Sequence, residues 1–207
     1  MDTPQKSRIG LMGGTFDPIH FGHLYIAECS RFKFNLDKVL FIPTGKPVHK
    51  KRTDIVNSSH RLMMTRLAVD SNRHFEVSAI EMERLGPTYT VDTLKQLHND
   101  TGGTNEYYFI TGADAILEIF TWKDVNHIFD LCQFIAVTRP GISLDGLNQM
   151  LQNLSEDQRE KIHIHETSGI FISSTEIRER VRTGEPIKYL LPDDVEKYIA
   201  ENNLYLG

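Results

Sequence analysis

Short apolar runs carrying Ile, Val, Phe or Tyr recur along the chain at 8–12, 39–43, 75–77, 107–111, 133–138 and 161–165, and they predict strands. Between them, apolar residues spaced three and four apart predict helices over 24–32, 59–70, 91–99, 144–154, 175–182 and 192–202. Several of these follow a Ser, Asp or Thr suited to capping a helix. Strands that alternate with helices imply a mostly parallel sheet, because each parallel connection must cross back over the sheet and a helix makes that crossing. The expected fold is a doubly wound, Rossmann-like α/β domain spanning residues 1–207. Gly102-Gly103 and Arg139-Pro140-Gly141 read as turns, and neither an internal repeat nor a low-complexity tract appears. In open sheets of this kind ligands bind beyond the carboxyl ends of the strands, so the loops that follow the strands are where chemistry is to be sought.

Composition narrows the partners. The chain has 207 residues, 40% hydrophobic and 25% charged, enough to bury a substantial core. No apolar run approaches the roughly 20 residues that span a bilayer, and residues 1–8 are polar, so neither membrane insertion nor export is expected. Cys29 and Cys132 sit in apolar segments without a CxxC partner and are expected as buried, reduced thiols, which suits a cytoplasmic protein. A formal charge of −5 argues against a nucleic-acid backbone as the partner and for a small molecule. The oligomeric state stays open, a homo-oligomer included.

Directly after the first predicted strand comes Gly13-Gly14-Thr15-Phe16-Asp17-Pro18-Ile19-His20-Phe21-Gly22-His23, with a helix starting near its end. Two glycines let the backbone approach a ligand, and a helix start offers unpaired N–H groups and the positive end of its dipole to an anion. His20 and His23, three apart, can both face one ligand and donate to phosphate oxygens, and Gly22 between them leaves room for a nucleotide. The same pair could instead cap the helix or bind a metal, but Asp17 alone hardly completes a ligand set, so no metal site is expected.

Two further stretches can hold anions. At Ser173-Ser174-Thr175-Glu176-Ile177-Arg178, hydroxyls precede a helix. Read alone, this is a capping box; read with Arg178 one turn in, it is also a second anion grip, since the guanidinium fork can hold two phosphate oxygens. Lys46, His49, Lys50, Lys51 and Arg52 follow the second strand in a Pro/Gly-rich loop that would overhang the same end of the sheet. Lys51 and Arg52 read as solvated surface.

The Gly-Thr-Phe-Asp-Pro and His-x-Gly-His elements resemble the nucleotidyltransferase superfamily, which includes the nicotinate-nucleotide, phosphopantetheine and glycerol-phosphate transferases. The Ile-Ser-Ser-Thr-x-x-Arg element ending at Arg178 is similar to the segment with which that superfamily binds a triphosphate. Thr88-Tyr89-Thr90, Gly112-x-Asp114, Trp122-Lys123 and the His49-Lys50 loop look like elements of the nicotinate-nucleotide adenylyltransferases. Arg139-Pro140-Gly141 also resembles a family element, although Pro-Gly is an ordinary turn. The resemblance runs from residue 8 to about 182 and is thinnest between 143 and 162.

It implies transfer of AMP from ATP to nicotinate mononucleotide, giving nicotinate adenine dinucleotide and pyrophosphate. It implies ATP contacts at Gly13, Gly14, Thr15, Phe16, His20, His23, Ser173, Ser174, Thr175 and Arg178. Of these, His20, His23 and Arg178, together with Lys46, would stabilise the transition state. The acceptor would meet Thr88, Tyr89, Asp114, Trp122 and His49, with Asp114 at a ribose and Trp122 beside the pyridine ring. Mg²⁺ is expected to arrive with ATP, held mainly by substrate phosphates and water. A transferase for another acceptor, or a nucleotide sensor without turnover, are the alternatives.

Overall fold

A computed structural model describes residues 6–46, 55–141 and 143–206. Six strands, β1 (Ser7–Gly14), β2 (Lys38–Pro43), β3 (Phe75–Val77), β4 (Asn105–Gly112), β5 (Gln133–Thr138) and β6 (Ile162–Glu166), form one sheet. Their order is β3-β2-β1-β4-β5-β6, and every neighbouring pair is parallel. This is the doubly wound arrangement that the strand and helix alternation predicts.

Alternation along the strands sends side chains to two cores. Met12, Phe41, Tyr108, Ile110, Ile135 and Val137 face one cluster. That cluster is closed by helices α1 (Phe21–Lys33), α2 (Ser58–Val69), α8 (Ser174–Thr183) and α9 (Asp193–Glu201), through Ala27, Met64, Ile177 and Val195. Ile9, Leu11, Ile42, Phe134 and Ala136 face the other. There α3 (Thr90–Asp100), α4 (Ala113–Leu117), α5 (Val125–Leu131) and α6 (Asp145–Leu151) supply Leu94, Ile116, Ile128 and Leu147.

Three readings need correction. The helix expected over 144–154 ends at Leu151, and a separate short helix α7 (Glu156–Glu160) follows. Ser155 starts it with a capping box, its hydroxyl accepting from Gln158 N while the Gln158 side chain accepts from Ser155 N. The connection from β4 to β5, expected without helix, holds α4, a 3-10 turn (Ile119–Thr121) and α5. Of the two cysteines, Cys132 is buried as expected, but Cys29 is half-buried; both are free thiols.

The sheet changes direction between β1 and β4: from β1 the chain winds outward through β2 to β3, and from β4 through β5 to β6. Their carboxyl ends, Gly14 and Gly112, flank the crevice such a switch point opens.

Candidate active site

A cavity of about 620 Å³ occupies that crevice, within the size range of small-molecule sites. Gly13, Gly14 and Thr15 from the end of β1 line one part of it, together with His23. Thr88, Thr93, Asp114 and Trp122 line another. The fold therefore gathers residues more than 100 positions apart in the chain into one chamber, with glycine backbone and an imidazole in one part and an indole in another.

His20 occupies the N-cap position of α1 in an extended conformation. Its backbone N–H donates to Nδ1 of His23 at 3.3 Å, so Nδ1 of His23 is an acceptor and the neutral ring carries its proton on Nε2. The two imidazoles stack with centroids 3.8 Å apart, and the edge of Phe16 meets His23 at 5.1 Å. His20 is 6% exposed, and burial lowers its pKa to about 4. It is a neutral ring at pH 7, able to donate one N–H without adding a positive charge beside His23.

Phe16 is 2% exposed, with its ring in the core against Phe41; only its backbone remains to face a ligand. Gly22 packs directly against His20. A Cβ there would come within 3.0 Å of the His20 ring and 3.7 Å of the Ile170 carbonyl oxygen.

The start of α8 is fastened to the same loop. Ser173 is its N-cap, accepting from Glu176 N at 3.1 Å. The Ser174 hydroxyl donates to the Pro18 carbonyl at 2.8 Å. Arg178 donates from Nη1 to the Asp17 carbonyl at 2.6 Å and from Nη2 to the Thr175 hydroxyl at 3.1 Å. The bonds from Ser174 and Arg178 tie the start of α8 to the histidine loop across 156 and 161 positions of sequence.

Two supports of this region carry no recognisable motif in the sequence. Arg61 on α2 is 2% exposed and donates to three carbonyl oxygens: Thr15 at 2.8 Å, Gly45 at 3.2 Å and Val56 at 3.2 Å. Its signal was a cation in the buried stripe of Met64, Thr65 and Ala68. Glu81 lines the cavity and accepts from the Thr93 hydroxyl at 2.9 Å. Burial raises its pKa, while hydrogen bonds from Thr93, Thr88 and Gly45 oppose that rise. Gly45 is pressed against the Glu81 carbonyl so closely that no side chain would fit. The next residue, Lys46, is exposed, and its carbonyl oxygen accepts from Thr88 N at 3.3 Å. His49, Lys50, Lys51 and Arg52 lie outside the described residues.

In the other part of the chamber, Trp122 is held edge-on by Phe109 (5.6 Å) and Phe134 (6.2 Å), an apolar wall against which a flat ring can lie. Thr88 and Asp114 line the chamber, whereas the Tyr89 ring sits beneath Lys123 Nζ at 4.5 Å.

Residues 11–180 match the profile of the cytidylyltransferase-like family. A probable nicotinate-nucleotide adenylyltransferase of Moorella thermoacetica is 51% identical over 97% of this chain and 93% of its own length. One from a Thermoanaerobacter species is 48% identical over 97% and 95%. The fold is shared with the Plasmodium falciparum nicotinic acid mononucleotide adenylyltransferase complexed with NaAD, at a TM-score of 0.75 and 21% identity, covering 96% of this chain and 97% of that one. The profile match over most of the chain and relatives about half identical over nearly its full length show that the chain belongs to the nicotinate-nucleotide adenylyltransferase family of cytidylyltransferase-like proteins.

Proposed function

We propose that the protein joins the phosphate of nicotinate mononucleotide to the α-phosphorus of ATP, forming nicotinate adenine dinucleotide and releasing pyrophosphate. The observation that carries this reading is the single chamber that joins the Gly13-Gly14 and His23 part to the Trp122, Asp114 and Thr88 part. Two nucleotides seated there would meet end to end. Relatives about half identical over nearly the full chain carry the same activity in their names.

The acceptor phosphate is ionised at neutral pH and needs no general base. An acceptor oxygen bonds to the α-phosphorus as the bond to the β-phosphate bridging oxygen breaks, and the electron pair leaves with pyrophosphate. Catalysis is then positioning and charge stabilisation. His23, with its Nε2 proton, and His20 behind it are assigned to the α and β phosphates. Arg178 with the Ser173, Ser174 and Thr175 helix start is assigned to the β and γ phosphates. Lys46 is assigned to the charge that develops on transfer, and Asp114 to a ribose. ATP enters as its magnesium complex. We place the enzyme in the cytoplasm, acting on small nucleotides and not on nucleic acid.

Pyrophosphate release with Mg²⁺-ATP and a panel of acceptors tests the reading. Release with nicotinate mononucleotide, slower release with nicotinamide mononucleotide and none with phosphopantetheine is the expected result. Release with phosphopantetheine alone would replace the acceptor, and binding of ATP without release from any acceptor would make the protein a sensor.

A further inference from the structure

Behind the histidine loop, groups from three distant parts of the chain surround Asp17, which is 1% exposed. The Tyr205 hydroxyl donates to Asp17 Oδ1 at 2.9 Å, across 188 positions of sequence. Arg178 Nη1 lies 3.9 Å from Oδ2 and donates to the carbonyl oxygen of the same residue. Arg61, which holds the Thr15 carbonyl, senses the Asp17 charge as well. Burial and the neighbouring carboxylate push the Tyr205 phenol up, so the hydroxyl keeps its proton and is the donor.

Local geometry turns this hydroxyl inward. Asn203 and Tyr205 both have left-handed backbone, with φ of 50° and 67°, a conformation rarely adopted by residues with side chains. Leu204 between them is buried at 8% exposure in the first core, which anchors the turn.

We infer that Tyr205 is a positioning residue of the triphosphate side: its hydroxyl fixes the Asp17 carboxylate, and Asp17 in turn fixes where Arg178 points and how the loop carrying His20 is set. A buried carboxylate deprived of one donor draws more strongly on the remaining cations. Without Tyr205, Asp17 competes with the triphosphate for Arg178. The acceptor side is built from other elements, with Thr88, Asp114 and Trp122 around α3 and α4, and the Tyr205 and Arg178 hydrogen bonds at Asp17 lie on the side of α8 and the C-terminal turn. The effect is therefore confined to ATP.

This inference rests on the proposed reaction, so ATP affinity measured without acceptor is read alongside turnover. Calorimetric titration of Tyr205→Phe with Mg²⁺-ATP is expected to show affinity falling by about tenfold, as for loss of one charge-linked hydrogen bond. The KM for nicotinate mononucleotide should stay within about twofold of the wild type. In an Asp17→Asn background the buried charge is gone, so adding Tyr205→Phe should cause no further loss; that pair also keeps the test available should Tyr205→Phe alone unfold. Wild-type ATP affinity in folded Tyr205→Phe would overturn the inference, as would equal weakening of both substrates or full additivity with Asp17→Asn. Wild-type protein that binds ATP but releases no pyrophosphate would overturn the proposed reaction while leaving the titration decisive for Tyr205.

Discussion

The imidazole of His20 stacks on that of His23 with centroids 3.8 Å apart, and the backbone N–H of the first fixes the tautomer of the second. Such close stacking suits neutral rings, since two imidazolium ions so placed would repel each other. Burial supplies that neutrality at His20, whose pKa falls to about 4. With His20 neutral, the stacked pair does not carry two positive charges.

If His23 donates to charge that grows during transfer, then His23→Ala should lower kcat by about 10²- to 10³-fold, the usual loss for one preorganised donor. ATP affinity should fall much less, because the contact strengthens in the transition state. Steady-state kinetics with saturating acceptor check this, and undiminished kcat would remove the residue from the chemistry.

His20 links stability to acidity. Its folded pKa of about 4 lies below the unfolded value of 6.5, so the unfolded chain binds the extra proton between those values. Its contribution is complete above about pH 6.5 and is lost as pH falls toward 4, by up to about 3 kcal/mol. Denaturant unfolding of His20→Asn should show a shallower loss of stability across this window than the wild type. Parallel curves would contradict the lowered pKa.

Arg61→Met keeps the volume but leaves the carbonyl oxygens of Thr15, Gly45 and Val56 without their buried donor. Each unmet acceptor costs about 1–3 kcal/mol before water enters, so a net loss of about 2–4 kcal/mol is expected in chemical denaturation. A loss below about 1 kcal/mol would mean that the three carbonyls find other partners easily.

Much of the architecture was legible because local pattern and global fold agree. The run 133–138, apolar from Phe134 to Val137, is β5 with the bounds predicted for it, and Phe75–Val77 is β3. The connection from β4 to β5 was not legible: α4 and α5 are only five and seven residues long, and neither has a side-chain N-cap bond; α5 starts from Asp124 in the left-handed region. The break at residue 155 was readable after all, in the Ser155-x-x-Gln158 capping box. At the site, the glycines and histidines announce themselves because they are contiguous at a strand-to-helix turn. Glu81, Arg61 and the Tyr205–Asp17 contact do not, because their partners are chosen by tertiary packing, which no local spacing encodes.

Trp122 offers a test of the acceptor side. Trp122→Ala removes the flat wall braced by Phe109 and Phe134, and the KM for nicotinate mononucleotide should rise about tenfold. The KM for ATP should be little changed. An equal rise in both would place the indole outside the acceptor part of the chamber.

The bond made in the proposed reaction joins the acceptor phosphate to the α-phosphorus of ATP. Incubating the protein with Mg²⁺, nicotinate mononucleotide and ATP labelled at either the α or the γ phosphorus, then separating the products, tests it directly. The α label should appear in nicotinate adenine dinucleotide and the γ label in pyrophosphate, in equal amounts. An α label that never reaches a dinucleotide, or a γ label released as inorganic phosphate, would rule out this transfer.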